Sequence, residues 1–290
     1  MSLTSDAIIR PALFTALLLR GAVALVTCLL LLMPTKTPAA EPAQIEAFLK
    51  VTGFDVALQS IAQSAGEAPQ MLGVEAGDFG LEWERLAEDV FDPEIMHDMA
   101  LDILQQTLSS EALFHAAEFY ASDLGQRLVE VENAAQLGDG GSDRAEGDRL
   151  IAQMAARDDP KIGIFQDMNR AIGGTDGAVR AVQEIQVRFL MAASAAGIIE
   201  LQIDIEGLRA LMKEQEAEMH RAMAASNLAH SAVTYQGFSE QDMRAYVAAL
   251  KHPLMREVYE LLNAVQFEIQ ANRFEELAHR MRDLQPVQDL

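Results

Sequence analysis

Two pairs of residues in this chain have the spacing of metal ligands. Glu94 and His97 stand three apart, as do Glu276 and His279. On a helix, residues three apart leave the same face. Helix bundles that hold two metal ions use such Glu-x-x-His pairs together with a glutamate from each of two further helices. The chain carries 44 acidic residues and 6 histidines, so solvated surface pairs are the plainer reading and metal ligation the alternative. Met212, Met219 and Met223 flank His220 at helical spacing. Thioether and imidazole suit copper, yet methionines at that spacing are ordinary core residues. No cofactor is expected.

Other chemistry is missing its frame. Gly138, Gly140 and Gly141 lack the lysine and the strand–helix context of a phosphate loop. Ser194 sits between alanines, without the flanking glycines of a nucleophile elbow. A calcium loop starting at Asp139 would need glutamate at its twelfth position and finds Leu150. The single cysteine, Cys28, lies in an apolar run near the start, which excludes a disulfide framework. No catalytic residue is assigned.

Residues 1–40 read as an address. Arg10 and Arg20 precede the apolar run from Gly21 to Met33; Pro34 ends it, and small and polar residues follow to Ala40. This is the order of a secretory signal peptide. The alternative is an uncleaved anchor counted from Ala12, which would place Arg20 in the bilayer at a cost of about 2.5–3.5 kcal/mol. The expected location is the periplasm or the exterior, or the inner membrane if the segment is retained. The net charge is -22. That excludes a nucleic-acid binder, and it leaves residues 1–40 as the only expected link to a membrane.

The elements that must position any site read as all-α. Ala, Leu, Met, Glu, Gln and Arg dominate after residue 40, and they favour helix. Asp92-Pro93-Glu94 is a helix start, with a capping carboxylate and a proline in the first turn. Asp159-Pro160 repeats the device, Ser109 opens another helix, and Ser239 with Asp242 forms a capping box. Helices are expected over 42–65, 79–90, 93–106, 109–121, 123–136, 145–157, 160–171, 176–196, 198–225, 239–251 and 254–281. In the last, Leu254, Val258, Leu261, Leu262, Val265 and Ile269 mark one apolar face. Trp83 is expected in the core or at a domain contact.

A shift of 130 residues aligns Leu108–Gln136 with Phe238–Gln266 without a gap. Ser109/Ser239, Leu124/Leu254, Glu130/Glu260, Asn133/Asn263, Ala134/Ala264 and Gln136/Gln266 are identical pairs. The expectation is a duplicated helix-pair bundle: a first helical unit over 41–136, a linker with short helices over 137–175, and a second unit over 176–290. Leu137–Asp148, rich in glycine and aspartate, is expected to be loop. A groove between the units would suit an amphipathic helix or an extended peptide, so the expected role is non-enzymatic and the partner a protein or peptide.

The chain also resembles a family of bacterial envelope proteins, domain of unknown function 2059. Val51-Thr52-Gly53-Phe54-Asp55 is similar to its early Thr-Gly motif. Phe119-Tyr120-Ala121-Ser122-Asp123-Leu124-Gly125 is similar to its Phe-Tyr-x-Ser-Pro-x-Gly signature, with Asp123 in place of proline. The second copy keeps Pro253 but has Ala249-Leu250 for the aromatic pair and Met255 for glycine. The resemblance implies a helical, exported protein without an assigned activity. It marks Thr52, Gly53, Phe119, Tyr120, Ser122 and Gly125 as signature positions. Phe119 and Tyr120 are expected to pack a hinge, and Gly125 to permit close helix approach.

Overall fold

Glycines and caps divide the chain into short helices, and the architecture follows from which of them share a core. The computed structural model describes residues 40–72, 81–138 and 140–282, so the segment expected as a signal peptide lies outside the described residues apart from Ala40. The described fold is all-α, with no strand among the described residues. The helices are α1 (Pro42–Thr52), α2 (Phe54–Ser64), α3 (Ala68–Met71), α4 (Leu81–Val90), α5 (Pro93–Thr107), α6 (Ser110–Tyr120) and α7 (Asp123–Leu137). They continue with α8 (Gly140–Ala155), α9 (Lys161–Ala171), α10 (Gly174–Ala195), α11 (Ile205–Thr234), α12 (Glu240–Leu250) and α13 (Pro253–Met281). No described helix is long and apolar enough to cross a membrane.

The caps fall where side-chain chemistry put them. Asp92 Oδ1 accepts the amides of Glu94 (2.8 Å) and Ile95 (3.1 Å). Asp159 Oδ1 accepts that of Lys161 (2.9 Å). Ser109 Oγ accepts Ala112 N–H (3.2 Å), and Ser239 with Asp242 closes a full capping box. These bonds satisfy amides that have no partner inside the first helical turn.

Three boundaries differ from expectation, each for a local reason. The helix expected over 42–65 is broken by Gly53, whose φ of 73° ends α1 in the left-handed cap that glycine adopts readily. The helix expected from 198 starts at Ile205. Gly197, at φ 78°, closes α10 in a Schellman motif, with Ile198 N–H on Ala193 O and Gly197 N–H on Ser194 O. Asp204 then caps α11 through Gly207 N–H at 2.8 Å. The third is Leu137–Asp148, expected as loop, which is helical from Gly140. There α8 lies along α11, and Gly147 passes so close that a Cβ on it would stand 2.4 Å from Ala229 O. Packing outweighs the poor helix propensity of its glycines.

Two sets of five helices have matching order and matching partners. In the first, α1 packs on α5 and α6, and α2 packs on α5 and α7; in the second, α9 packs on α11 and α12, and α10 on α11 and α13. α6 and α12 begin and end 130 residues apart, each after a serine cap. The breaks that follow them agree in backbone. Ala121 and Lys251 have φ,ψ of -76°,-12° and -78°,-8°, and the extended Ser122 and His252 then cap the next helix. Positive-φ glycines, Gly53 and Gly173, stand at the joints α1–α2 and α9–α10. Each faces the asparagine at the same register of the other helix pair: a Cβ would lie 2.2 Å from Asn133 Oδ1 at Gly53, and 2.9 Å from Asn263 Nδ2 at Gly173.

Both sets feed one hydrophobic cluster that runs from Ala40 to Met281. α13 is its axis, packing on α4, α5 and α6 as well as α10. Val258, Leu262, Val265 and Ile269 are buried as their spacing predicts. Met255 takes the buried place expected of Leu254, and Leu261 is half-buried. Phe274 meets Phe91, between α4 and α5, and Phe189 on α10 edge-to-face, at 5.3 and 5.4 Å. Arg188 on α10 forks Glu275 on α13 at 2.7 and 2.8 Å, which holds the Glu275 carboxyl below its usual range. Trp83 is buried on α4.

Candidate functional site

Four tyrosines are all the chain has, and they meet at one glutamate. Tyr120 ends α6, Tyr235 follows α11, Tyr246 lies on α12 and Tyr259 on α13; Glu132 reaches them from α7. Tyr235 and Tyr246 donate to the same oxygen, Glu132 Oε1, at 2.7 and 2.9 Å. The hydroxyl of Tyr259 pairs with those of Tyr120 (2.5 Å) and Tyr246 (3.2 Å). Phe119 stacks on Tyr246 at 5.9 Å, and Tyr235 meets Tyr246 at 6.2 Å. Outside this cluster Arg127 sits over the Phe238 ring and pairs with Asp242 at 3.3 Å.

Helix ends build this place. Ser122 Oγ accepts Gly125 N–H at 3.1 Å and starts α7 directly after α6. A Cβ on Gly125 would stand 2.2 Å from Phe119 O and 2.6 Å from Tyr120 Cα. Only glycine lets the first turn of α7 lie against the end of α6, and that contact sets the direction in which Tyr120 and Glu132 project.

The cluster opens on a cavity of about 340 Å³. Its wall holds both members of two pairs related by the 130-residue shift, Glu132 with Leu262 and Gln136 with Gln266. Thr52, Gly53, Asn169, Asn227 and His230 add a mainly neutral polar lining. Thr234 Oγ1 is buried on this wall and makes no hydrogen bond among the described residues. Buried polar atoms are normally satisfied, so a place is left for a partner.

Burial sets the protonation. It pushes the Glu132 carboxyl up, against the opposing hydrogen bonds from Tyr235 and Tyr246. It also drives Tyr259 up to about 12 and the other three phenols well above their usual value. The phenols are therefore held neutral, Tyr235 and Tyr246 as donors to one carboxyl group and Tyr120 and Tyr259 joined to them through hydroxyls. Such a group can orient and hold a ligand.

The residues singled out for metal chemistry lie elsewhere. His97 Nδ1 pairs with Asp55 Oδ1 at 2.9 Å, beside a surface recess shared with Glu94. Glu276 is half-buried and His279 exposed near the end of α13. Among the described residues no three His, Cys, Asp or Glu side chains gather as metal ligands. His220, beside the methionine stripe, pairs with Asp176 at 3.0 Å. Of the signature positions, Thr52, Gly53 and Tyr120 line the cavity, Phe119 stacks beside it, and Ser122 and Gly125 form the turn that aims it. Sequence reasoning missed Glu132, Tyr235, Tyr246 and Tyr259. The available signal was Glu132 itself, an acid one turn after the core residue Leu128.

Fold and site define an all-helical protein with a tyrosine-lined cavity where two matching helix sets meet. The family model described as an uncharacterized protein conserved in bacteria (DUF2059) matches residues 94–137. That stretch runs from the first turn of α5 to the end of α7. It contains Phe119, Tyr120, Ser122, Gly125 and Glu132, whereas Thr52 and Gly53 precede it. No curated protein and no solved structure matches the chain.

Proposed function

We propose that this chain is an exported, non-enzymatic binding protein, made of two copies of one five-helix unit, and that it holds a small polar ligand in the cavity between them. The observation that carries the reading is Glu132, a carboxyl group enclosed by tyrosines yet facing open space. Burying an acid costs stability, and a core that needed only packing would place an apolar residue there. The second set does so with Leu262. The cavity volume lies at the lower end of the range for small-molecule sites. Export is supported by the charged, apolar and small-residue order of residues 1–40 and by the absence of cysteine after Cys28. Duplication is supported by the agreement of caps, breaks and helix partners. Two hydroxyls on the wall are tied to their own helices, Ser231 on Asn227 O at 2.8 Å and Thr52 on Phe48 O at 2.9 Å, and are poor candidates for chemistry.

Amide spectra of the isotope-labelled protein, recorded with a mixture of polar metabolites, test this. Shifts concentrated on Gly53, Glu132, Asn227 and Asn263 are expected. Shifts confined to the outer surface, or none, would contradict a ligand site here.

A further inference from the structure

The character of the cavity wall narrows what it can hold, and this step rests on the cavity being a ligand site. Among the described residues the wall contains no lysine and no arginine, His230 is its one basic side chain, and Glu132 is its only carboxyl group. Both phenols that reach the carboxyl group donate to Oε1; among the described residues nothing donates to Oε2. An anion would meet Glu132 with only the imidazole of His230 on the wall to offset the repulsion. Burial raises the Glu132 carboxyl, so its ionised form is disfavoured until a counter-charge is bound. A cation supplies that charge, and ionised groups away from water are stable when paired. Asn169, Asn227 and Gln266 offer amide groups to the remainder of such a molecule, and Thr234 Oγ1 is an unpaired hydroxyl on the same wall.

We infer that the cavity binds a small organic ammonium ion, its positive group seated on Glu132. The ligand carries its charge at one end and polar groups at the other. The acidic surface favours the same choice: a net charge of -22 draws cations toward the protein and keeps anions away.

Calorimetry on the intact folded chain tests the class with matched probes. Choline and n-butylammonium carry the charge, and 3,3-dimethylbutan-1-ol has the shape of choline without it. Both or either ammonium should bind at least about tenfold more tightly than the neutral probe, a difference expected of an ion pair with a partly buried carboxylate. Glu132→Gln keeps an acceptor for the two phenols and should lose this binding, whereas Glu132→Asp keeps the charge and should retain part of it. Circular dichroism of each variant checks that it folds. Equal affinity for the charged and neutral probes, or undiminished binding by Glu132→Gln, would overturn the cation assignment. If neither ammonium binds while metabolite-induced shifts still map to the cavity, the class is wrong and the ligand site stands. If neither experiment detects anything in the cavity, both readings fall.

Discussion

Glu132 occupies a register that helical spacing assigns to the core, four residues after the fully buried Leu128. Its burial has a consequence for stability. A carboxyl group whose folded pKa is raised keeps its proton in the folded chain to higher pH than in the unfolded chain. Stability therefore falls as pH rises from the ordinary carboxylate range through the elevated folded value. Glu132→Gln removes this titration while sparing the acceptor for Tyr235 and Tyr246. Its melting temperature should exceed that of the parent at about pH 8, with the gap closing toward about pH 4; a gap that is constant with pH would contradict the burial. Glu132→Leu, the residue of the matching position 262, should instead cost about 1–3 kcal/mol for each phenol left without its acceptor. The register of Glu132 was legible in the sequence, but its partners were not. Glu132 is one acid among 44, and the phenols that reach it come from positions 103 to 114 residues away. Tyr120 was visible only through its signature, which reads as hinge packing until the cavity behind it is seen.

At the level of elements, local chemistry explains what could be read. Asp92, Ser109 and Ser239 act within three residues of themselves, so the starts of α5, α6 and α12 follow directly from side-chain type. Gly53 and Gly197 end helices because each adopts a positive φ, and sequence alone does not say which glycine will. The helix from Gly140 was hidden for the opposite reason, since its stability lies in the distant α11. Gly147 is the contact that permits this, and it yields a paired prediction. Replacing an exposed helical glycine by alanine ordinarily gains about 0.5–1 kcal/mol. Gly163→Ala on α9, where an added Cβ meets nothing within 4 Å, should show that gain in chemical denaturation. Gly147→Ala should lose about 1–3 kcal/mol instead, because its Cβ would be driven into the Ala229 backbone. Equal effects at the two positions would show that α8 and α11 are not in close contact.

Across the whole molecule, the site exists because two helix sets share a core. Glu132 and Gln136 come from α7, Leu262 and Gln266 from α13, and Tyr235 and Tyr246 from the segment between. The fold class was legible from composition, and the starts of α6 and α12 from their serine caps. The way the sets meet was not, since α13 presents apolar residues to α4, α5, α6 and α10 at once and its pattern marks only one face. The central claim is that this union is a single cooperative structure and that the cavity is a product of it. The most direct measurement is urea unfolding followed by two probes: fluorescence of Trp83, the only tryptophan, buried on the helix α4 that packs on α13, and far-ultraviolet circular dichroism, which reports all the helices. One shared core predicts coincident curves with a single midpoint. A first loss of ellipticity that leaves Trp83 fluorescence unchanged, followed by a separate second transition, would mean two independent units, and the cavity between them would lose its physical basis.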